Sequence, residues 1–524
     1  MAQHLSAVAR ARLAAQRIHH FHGGLRLRHN KKISCEVPLE RIPPSERLFV
    51  PLLQHGYSDA ARSLVEPGQA VLKGEPIGSY SEPDTGYVHA PTSGKVIALE
   101  VRPIAHPSGL DGECVVIEPD GEERWSWLEP IEDWQHADPA TLGERIRTAG
   151  LVGLGGAVFP TAKKVEGAQA RGVHTLILNG AECEPYISCD EMLMREQPEK
   201  LILGARVLRR ATAAERVIIA IEDQMGVVQR MLDSALKTCG DGEVEIVRVT
   251  TIYPEGGERQ LVQVLTGLEV PSGGLPLDLG LLCLNVGTAA AAADAVIEGR
   301  PLIERIVTVS GSGITRPRNL IALLGTPIHE LVERCGGYRG DVQRLVLGGP
   351  MMGYALPTDA APVVKAANCI LALTADDLRS PQPEMPCIRC GECMRVCPAV
   401  LLPQELHWQV TNQQWEEAEE YGLMDCIECG CCDFVCPSQI PLADWFRYGK
   451  GVLVNRASEK RAADHARHRF AARQERLDRL KRNRQDRIAE KKRQLKQSSE
   501  GRRKVAEALE RARKSRGEDE GRSP

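Results

Sequence analysis

Eight cysteines constrain this chain more than any other feature. Cys387, Cys390, Cys393 and Cys397 run up to Pro398, and Cys426, Cys429, Cys432 and Cys436 run up to Pro437. Each member of the second run lies 39 residues after its counterpart in the first. Both runs read C-x2-C-x2-C-x3-C-P, the spacing of a segment that holds two [4Fe–4S] clusters. A cubane presents three irons to one short loop, and two-residue gaps let three thiolates wrap one face of it. The fourth cysteine of each run then serves the other cluster. One cluster is assigned Cys387, Cys390, Cys393 and Cys436, and the other Cys426, Cys429, Cys432 and Cys397. A pair of structural zinc sites is the competing reading, since zinc ribbons also use C-x2-C pairs. Zinc takes four ligands, usually as two pairs, and leaves the third cysteine of each run without a use. Cys431 reads as a small packed residue rather than a ligand.

The other eight of the seventeen cysteines are scattered singly, which is not a disulfide framework. Residues 1–16 alternate alanine with arginine and lack the apolar run of a secretory signal. Free thiols and iron–sulfur ligands together point to a reducing cytosol. The most apolar stretch, residues 275–297, is interrupted by Asp278, Asn285 and Asp294, so no membrane span is expected. The net charge of −4 hides an asymmetry. Residues 456–524 carry 24 Lys and Arg against 12 Asp and Glu, and the remainder carries 42 against 58. The basic tail reads as a solubilising or partner-contacting element, with anionic lipid as one possible contact and no nucleic-acid partner expected.

The 524 residues divide into several units. Residues 1–39 form a leader in which His19, His20 and His22 sit in a packed loop around Phe21. Residues 40–134 alternate short Val/Ile runs with Gly/Pro turns, the pattern of a small β unit. It looks like the barrel-sandwich domains of biotinyl and lipoyl carriers, but the turn Pro83-Asp84-Thr85-Gly86 lacks their lysine, so the expected role is structural docking. Residues 139–297 alternate apolar strands (175–178, 217–221) with helical patterns (142–148, 192–209, 225–238), which predicts an α/β unit with a largely parallel sheet. Residues 302–354 read as a compact α+β unit around a helix at 329–335. Residues 378–445 hold the cysteine runs, with a helical spacer at 413–421. Residues 446–524 read as a basic helix or a partly disordered tail.

The second informative segment is the glycine loop from Gly150 through Gly153, Gly155 and Gly156 to Phe159, Pro160, Thr161 and Lys164. Closely spaced glycines let backbone N–H groups approach a phosphate, and a nearby lysine adds charge. Read as G-x-G-x-x-G it fails at Val158, and it follows a helical pattern instead of a strand, so it is not a Rossmann fingerprint. A phosphate site for a nucleotide or flavin and a tight structural turn both remain open on the residues alone.

The loop resembles the flavin loop of the NADH-oxidising subunit of respiratory complex I. Three further segments resemble that family in the same order: Asn179-Gly-Ala-Glu182-Cys-Glu184-Pro185, Tyr253-Pro-Glu-Gly-Gly257-Glu258 and Asn285-Val-Gly287-Thr288. The unit at 302–354 resembles the soluble-ligand-binding β-grasp domain that follows that fold. The full order is barrel-sandwich, flavin domain, β-grasp, helical two-cluster ferredoxin domain and basic tail. Over residues 20–450 that order is similar to the C-type subunits of Rnf/Rsx ion-translocating electron-transport complexes.

The resemblance implies FMN, NADH and two [4Fe–4S] clusters as cofactors. It implies that Gly153, Gly155, Gly156 and Lys164 hold the flavin phosphate and ribityl chain, and that Asn179, Glu182, Tyr253 and Asn285 line the flavin. Phe159, Glu184 and Glu258 would face NADH, with the two glutamates as catalytic-site residues. Gly257 and Gly287 depart from the family by standing where it has glutamates. The implied function is electron input from NADH to a ferredoxin-like partner. It would take place in a complex of integral and peripheral subunits that moves Na⁺ or H⁺, with this chain peripheral on the cytoplasmic face of the inner membrane. Two rival readings stay open: a soluble NADH:acceptor module of a hydrogenase or dehydrogenase, and a non-enzymatic two-cluster relay with a vestigial flavin site.

Overall fold

The punctuated Val/Ile runs fold into paired strands. In the computed structural model, which describes residues 18–54, 60–82, 85–240, 242–378 and 382–519, a four-stranded antiparallel sheet runs Leu48–Pro51, Asp111–Pro119, Gly94–Pro103, Ala70–Val71 in spatial order. A second sheet runs Arg62–Ser63, Pro76–Ser79, Tyr87–His89. Val50, Val96, Val115 and Ile117 of the first share one core with Ile77 and Val88 of the second. The turn expected to replace a carrier lysine starts at Pro83 and Asp84, outside the described residues, as does the alternating stretch 1–16. Glu40–Arg41 leaves this unit and pairs in parallel with Arg318–Leu323. The preceding residues form a strap. The His19 N–H donates to the Val264 carbonyl (2.9 Å), the Gly24 N–H to the Val396 carbonyl (3.0 Å), and Leu25 bridges Tyr253.

The α/β unit opens on helix Pro139–Thr148, with Pro139 in its first turn and the Asp138 carboxylate accepting from the Ala140 N–H at its N-terminus. Its sheet is wholly parallel, in the order Val244–Val249, Arg216–Glu222, Thr175–Gly180, Leu281–Asn285. The chain builds outward from Thr175–Gly180 in one direction and returns to add Leu281–Asn285 on its other side. The crevice beyond the carboxyl ends of those two strands is therefore the topological switch point, where ligands of open α/β sheets bind. Asn179 and Asn285 are register partners there. The single helix expected over 192–209 is two, Cys189–Glu196 and Pro198–Thr212. Pro198 has no N–H to continue the first ladder and is tolerated only in the first turn of the second. Helix Pro198–Thr212 crosses helix Val286–Ile297 so closely that a Cβ on Gly204 would overlap the Ala289 carbonyl.

The next sheet runs Glu40–Arg41, Arg318–Leu323, Glu304–Ser310, Cys369–Thr374, Val342–Leu347, Tyr354–Ala355. Its interior strand Cys369–Thr374 lies beyond the 354 boundary read from sequence, because the intervening loop hides the return of the chain into the sheet. Helix Ile328–Arg334 packs Ile328, Leu331 and Val332 into the core beneath it.

The cysteine segment repeats its backbone as well as its residues. Left-handed conformations recur 39 positions apart at Arg389 and Glu428 (both φ 56°), Gly391 and Gly430 (80° and 70°), and Val400 and Gln439 (55° and 53°). Short helices Glu392–Arg395 and Cys431–Val435 follow in register. The spacer holds two helices, Pro403–Thr411 and Trp415–Glu420, where one run over 413–421 was expected. Residues 448–524 form a second unit. The described part of it lies in helices Leu442–Gln497 and Ser499–Asp519. Among the described residues no helix is long and apolar enough to cross a membrane.

Candidate functional site

The switch-point crevice gathers most of the residues singled out from sequence for the flavin and the nucleotide. The glycine loop closes on itself, with the Gly153 N–H donating to the Phe159 carbonyl (2.8 Å) and Val152 bridging Pro160. Those bonds hold Val158, a β-branched residue, in the left-handed region at φ 44°. Gly156, at φ 105°, has open space where a side chain would stand. Thr288 ties the loop to helix Val286–Ile297, its hydroxyl accepting from the Leu154 N–H (2.9 Å) and donating to the Val152 carbonyl (3.3 Å). Asn285 caps that helix through the Gly287 N–H (2.8 Å), and a Cβ on Gly155 would stand only 3.7 Å from its side chain.

Lys164, in helix Thr161–Arg171, reaches Glu258 Oε1 (2.7 Å) and the Cys283 carbonyl (3.0 Å). Asn179 donates to the Gly256 carbonyl (2.7 Å) and accepts from the Ala181 N–H (3.0 Å). Phe159 is exposed on the loop. The result is a cradle of small residues bounded by a lysine and by the positive end of a capped helix, an arrangement that fits a phosphate-bearing ligand.

Glu182 is nearly covered. Lys31 stands 3.7 Å from it and 3.7 Å from Glu222, and the Asp190 N–H donates to it at 3.1 Å. Burial raises the Glu182 pKa, and Lys31 opposes that rise. Lys31 keeps its proton because Glu182 and Glu222 outweigh the cost of burial. Asp190, missed from sequence, accepts from Asn285 Nδ2 at 2.6 Å. Burial, then nearby Glu182, pushes Asp190 up to about 7. A Cβ on Gly287 would stand 3.5 Å from Asp190 Oδ1. Asp190 therefore offers a carboxyl beside the place where Gly287 lacks one. Its sequence signal is faint: one of two adjacent acids, with Glu191, in the first turn of helix Cys189–Glu196.

Two of the predicted residues make their contacts elsewhere in the structure. Tyr253 does not line the crevice. It is fully buried against Cys183, Cys429 and Cys431, and its hydroxyl donates to the Cys429 carbonyl (2.7 Å). Glu184 is turned to the β-grasp unit. Both its oxygens accept backbone N–H groups, from Met352 (2.7 Å) and Met351 (3.3 Å). Each residue is drawn off by a unit that the strip's own sequence does not contain.

The cysteines fall into two small pockets. One is lined by Cys387, Cys390, Cys393 and Cys436. The other is lined by Cys397, Cys426, Cys429 and Cys432, with Cys431 beside them. Each pocket takes three cysteines from one run and the last from the other. Thiolate sets of four in apolar pockets fit iron–sulfur cubanes. Cys387 and Cys390 are exposed, while Cys397, Cys429 and Cys432 are buried. A larger cavity of about 360 Å³ lies beside helix Val286–Ile297, between Leu154, Asp190, Lys73 and Trp125, and contains neither Lys164 nor any of the eight cluster-run cysteines.

Fold and site together define a multidomain flavin- and iron–sulfur-binding oxidoreductase component. Family models match the RnfC barrel sandwich hybrid domain over residues 19–122, the Nuo51 FMN-binding domain over 146–294, the SLBB domain over 306–355 and a 4Fe-4S dicluster domain over 385–440. Three relatives are each named as the C-type subunit of an ion-translocating oxidoreductase complex. That of Pseudomonas aeruginosa is 48% identical over 88% of this chain and 59% of its own length. That of Vibrio cholerae is 43% identical over 94% and 63%. That of Yersinia pestis is 43% identical over 88% and 74%. The chain belongs to this family of C-type subunits, and it spans only about three-fifths of the first two relatives, 59% and 63%.

Proposed function

We propose that this chain is the electron-input subunit of its complex, taking hydride from NADH and delivering single electrons to a partner protein. The observation that carries the reading is the juxtaposition of the phosphate cradle with the buried cysteine set. Asn179 and Gly256 on the flavin strip are joined to Cys429 through Tyr253, three residues before Gly256. Gly153, Gly155, Gly156, Lys164 and Asn285 would hold the FMN phosphate and ribityl chain. Bound FMN supplies a hydride acceptor that gives up electrons singly, and the clusters relay them.

The side chains bind, orient and exclude water. Lys164 balances the phosphate charge while Glu258 holds its ammonium in place. Exposed Phe159 offers a stacking face to the dinucleotide. The strap, Tyr253 and Met351 hold the Cys397, Cys426, Cys429 and Cys432 set against the flavin strip. The Cys387, Cys390, Cys393 and Cys436 set faces outward beside exposed Met385, Ile388 and Met394, open to a ferredoxin-like partner. This order makes the docked set the inner centre and the exposed set the exit. Ion movement, of Na⁺ or H⁺, belongs to integral subunits, with this chain held at the cytoplasmic face of the membrane. The test is NADH-dependent ferricyanide reduction by the FMN- and iron-loaded chain. Activity lost when FMN is stripped supports the reading, and a loaded chain that leaves NADH unoxidised sinks it.

A further inference from the structure

Glu184 lies five residues beyond Asn179 on the flavin strip, yet its contacts are with the β-grasp unit. The turn that supplies its two N–H partners, residues 349–353, is closed by a bond from the Gly353 N–H to the Gly349 carbonyl (2.9 Å). Gly349 permits the approach: a Cβ there would overlap a Glu184 carboxylate oxygen and lie 2.6 Å from its Cδ. The same turn also meets the cysteine segment. A Cβ on Gly430 would stand 3.2 Å from the Met351 carbonyl, and Met351 packs with Cys183, Tyr253, Cys429 and Cys431. One five-residue turn is thus gripped by the flavin strip and also touches the loop carrying Cys429 and Cys432.

We propose that Glu184 is a positioning residue that clamps the 349–353 turn and, through it, seats the Cys426–Cys432 loop against the flavin strip. The proposal rests on the function above only for what the loop and the strip carry. Burial pushes Glu184 up to about 7, and the two N–H groups pull it back, as they do when they bind the ionised form. No second carboxylate competes for those N–H groups in the contacts described.

Glu184→Gln tests the clamp without changing volume. The amide nitrogen is a donor, so it opposes one of the two backbone N–H groups and one bond is lost. Gly349→Ala attacks the same contact from the other side, at a backbone conformation alanine accepts. The measurement is hydrogen–deuterium exchange on the cofactor-loaded full chain, paired with low-temperature EPR after dithionite reduction. Each variant is expected to speed exchange several-fold in segments 349–353 and 426–432 and to leave strand Arg216–Glu222 unchanged. The double variant should be no faster than the worse single one, since both break one contact. One of the two cluster signals should shift, and the KM for NADH should hold. Wild-type exchange and wild-type EPR, with a raised KM for NADH, would overturn the clamp and return Glu184 to the nucleotide. If the wild type does not oxidise NADH at all, the function above fails, while exchange and EPR still judge the clamp.

Discussion

At the residue scale, the site depends on polar side chains whose partners lie far away in sequence. Lys164 donates to Glu258 and would meet a phosphate in the same cradle. Lys164→Ala is expected to weaken FMN binding by about 1.5–3 kcal/mol, tenfold or more, read by flavin fluorescence on dilution. Asp190 gives a pH signature. Its folded pKa is about 7, against roughly 3.9 for an unperturbed aspartate. The folded chain keeps a proton there that the unfolded chain has already released. Its contribution to stability therefore falls as pH rises from about 4 to about 7 and is gone above that. Asp190→Asn keeps an acceptor for Asn285 and should gain on the wild type by at most about 1.4 kcal/mol per pH unit across that window, read by denaturant melts. A constant difference would show that Asp190 does not titrate there. The glycine loop, Asn179 and Asn285 were legible because their spacing and order carry the signal. Asp190 and Lys31 were not, since an Asp-Glu pair in a helix's first turn and a Lys-Lys pair in a leader look like solvated charges until the fold buries them.

At the element scale, the crevice is set by how helix Val286–Ile297 lies on the sheet, and that position is fixed from behind by helix Pro198–Thr212. Gly204→Ala would drive a methyl group into the Ala289 carbonyl. Overpacking should cost about 1–3 kcal/mol, more than the up to ~1 kcal/mol that alanine returns in helix propensity. The variant should melt lower and also bind FMN more weakly, because Asn285 caps the displaced helix. Thermal melts with and without FMN check both effects. The alternation of strands and helices was readable from apolar periodicity, and so was the parallel sheet. The helix break at Pro198 was visible as a proline but was overridden by the continuous apolar pattern around it. The strand Cys369–Thr374 was missed because its place in the sheet is set by distant partners, Glu304–Ser310 and Val342–Leu347.

At the scale of the whole molecule, the two cysteine runs interlock, and one resulting set is docked while the other is exposed. Cys397→Ser and Cys436→Ser should each remove one cluster and about halve the iron. The crossed sets predict that Cys397→Ser matches Cys426→Ser in EPR, and that Cys436→Ser matches Cys387→Ser. The reverse pairing would mean that each run serves its own cluster. The spacing of the runs made the two sets of four cysteines legible, but nothing in the sequence said which set would dock. That depends on Tyr253 and the strap, which meet the cysteine segment only after folding.

The most direct test is anaerobic addition of NADH to the FMN- and iron-loaded chain, followed by visible absorption and EPR in wild type and Cys397→Ser. The account predicts that flavin and both clusters are reduced in the wild type. In the variant the flavin should bleach while the exposed cluster stays oxidised on the same timescale. A wild type that does not bleach, or a variant whose exposed cluster is reduced at the wild-type rate, would contradict it.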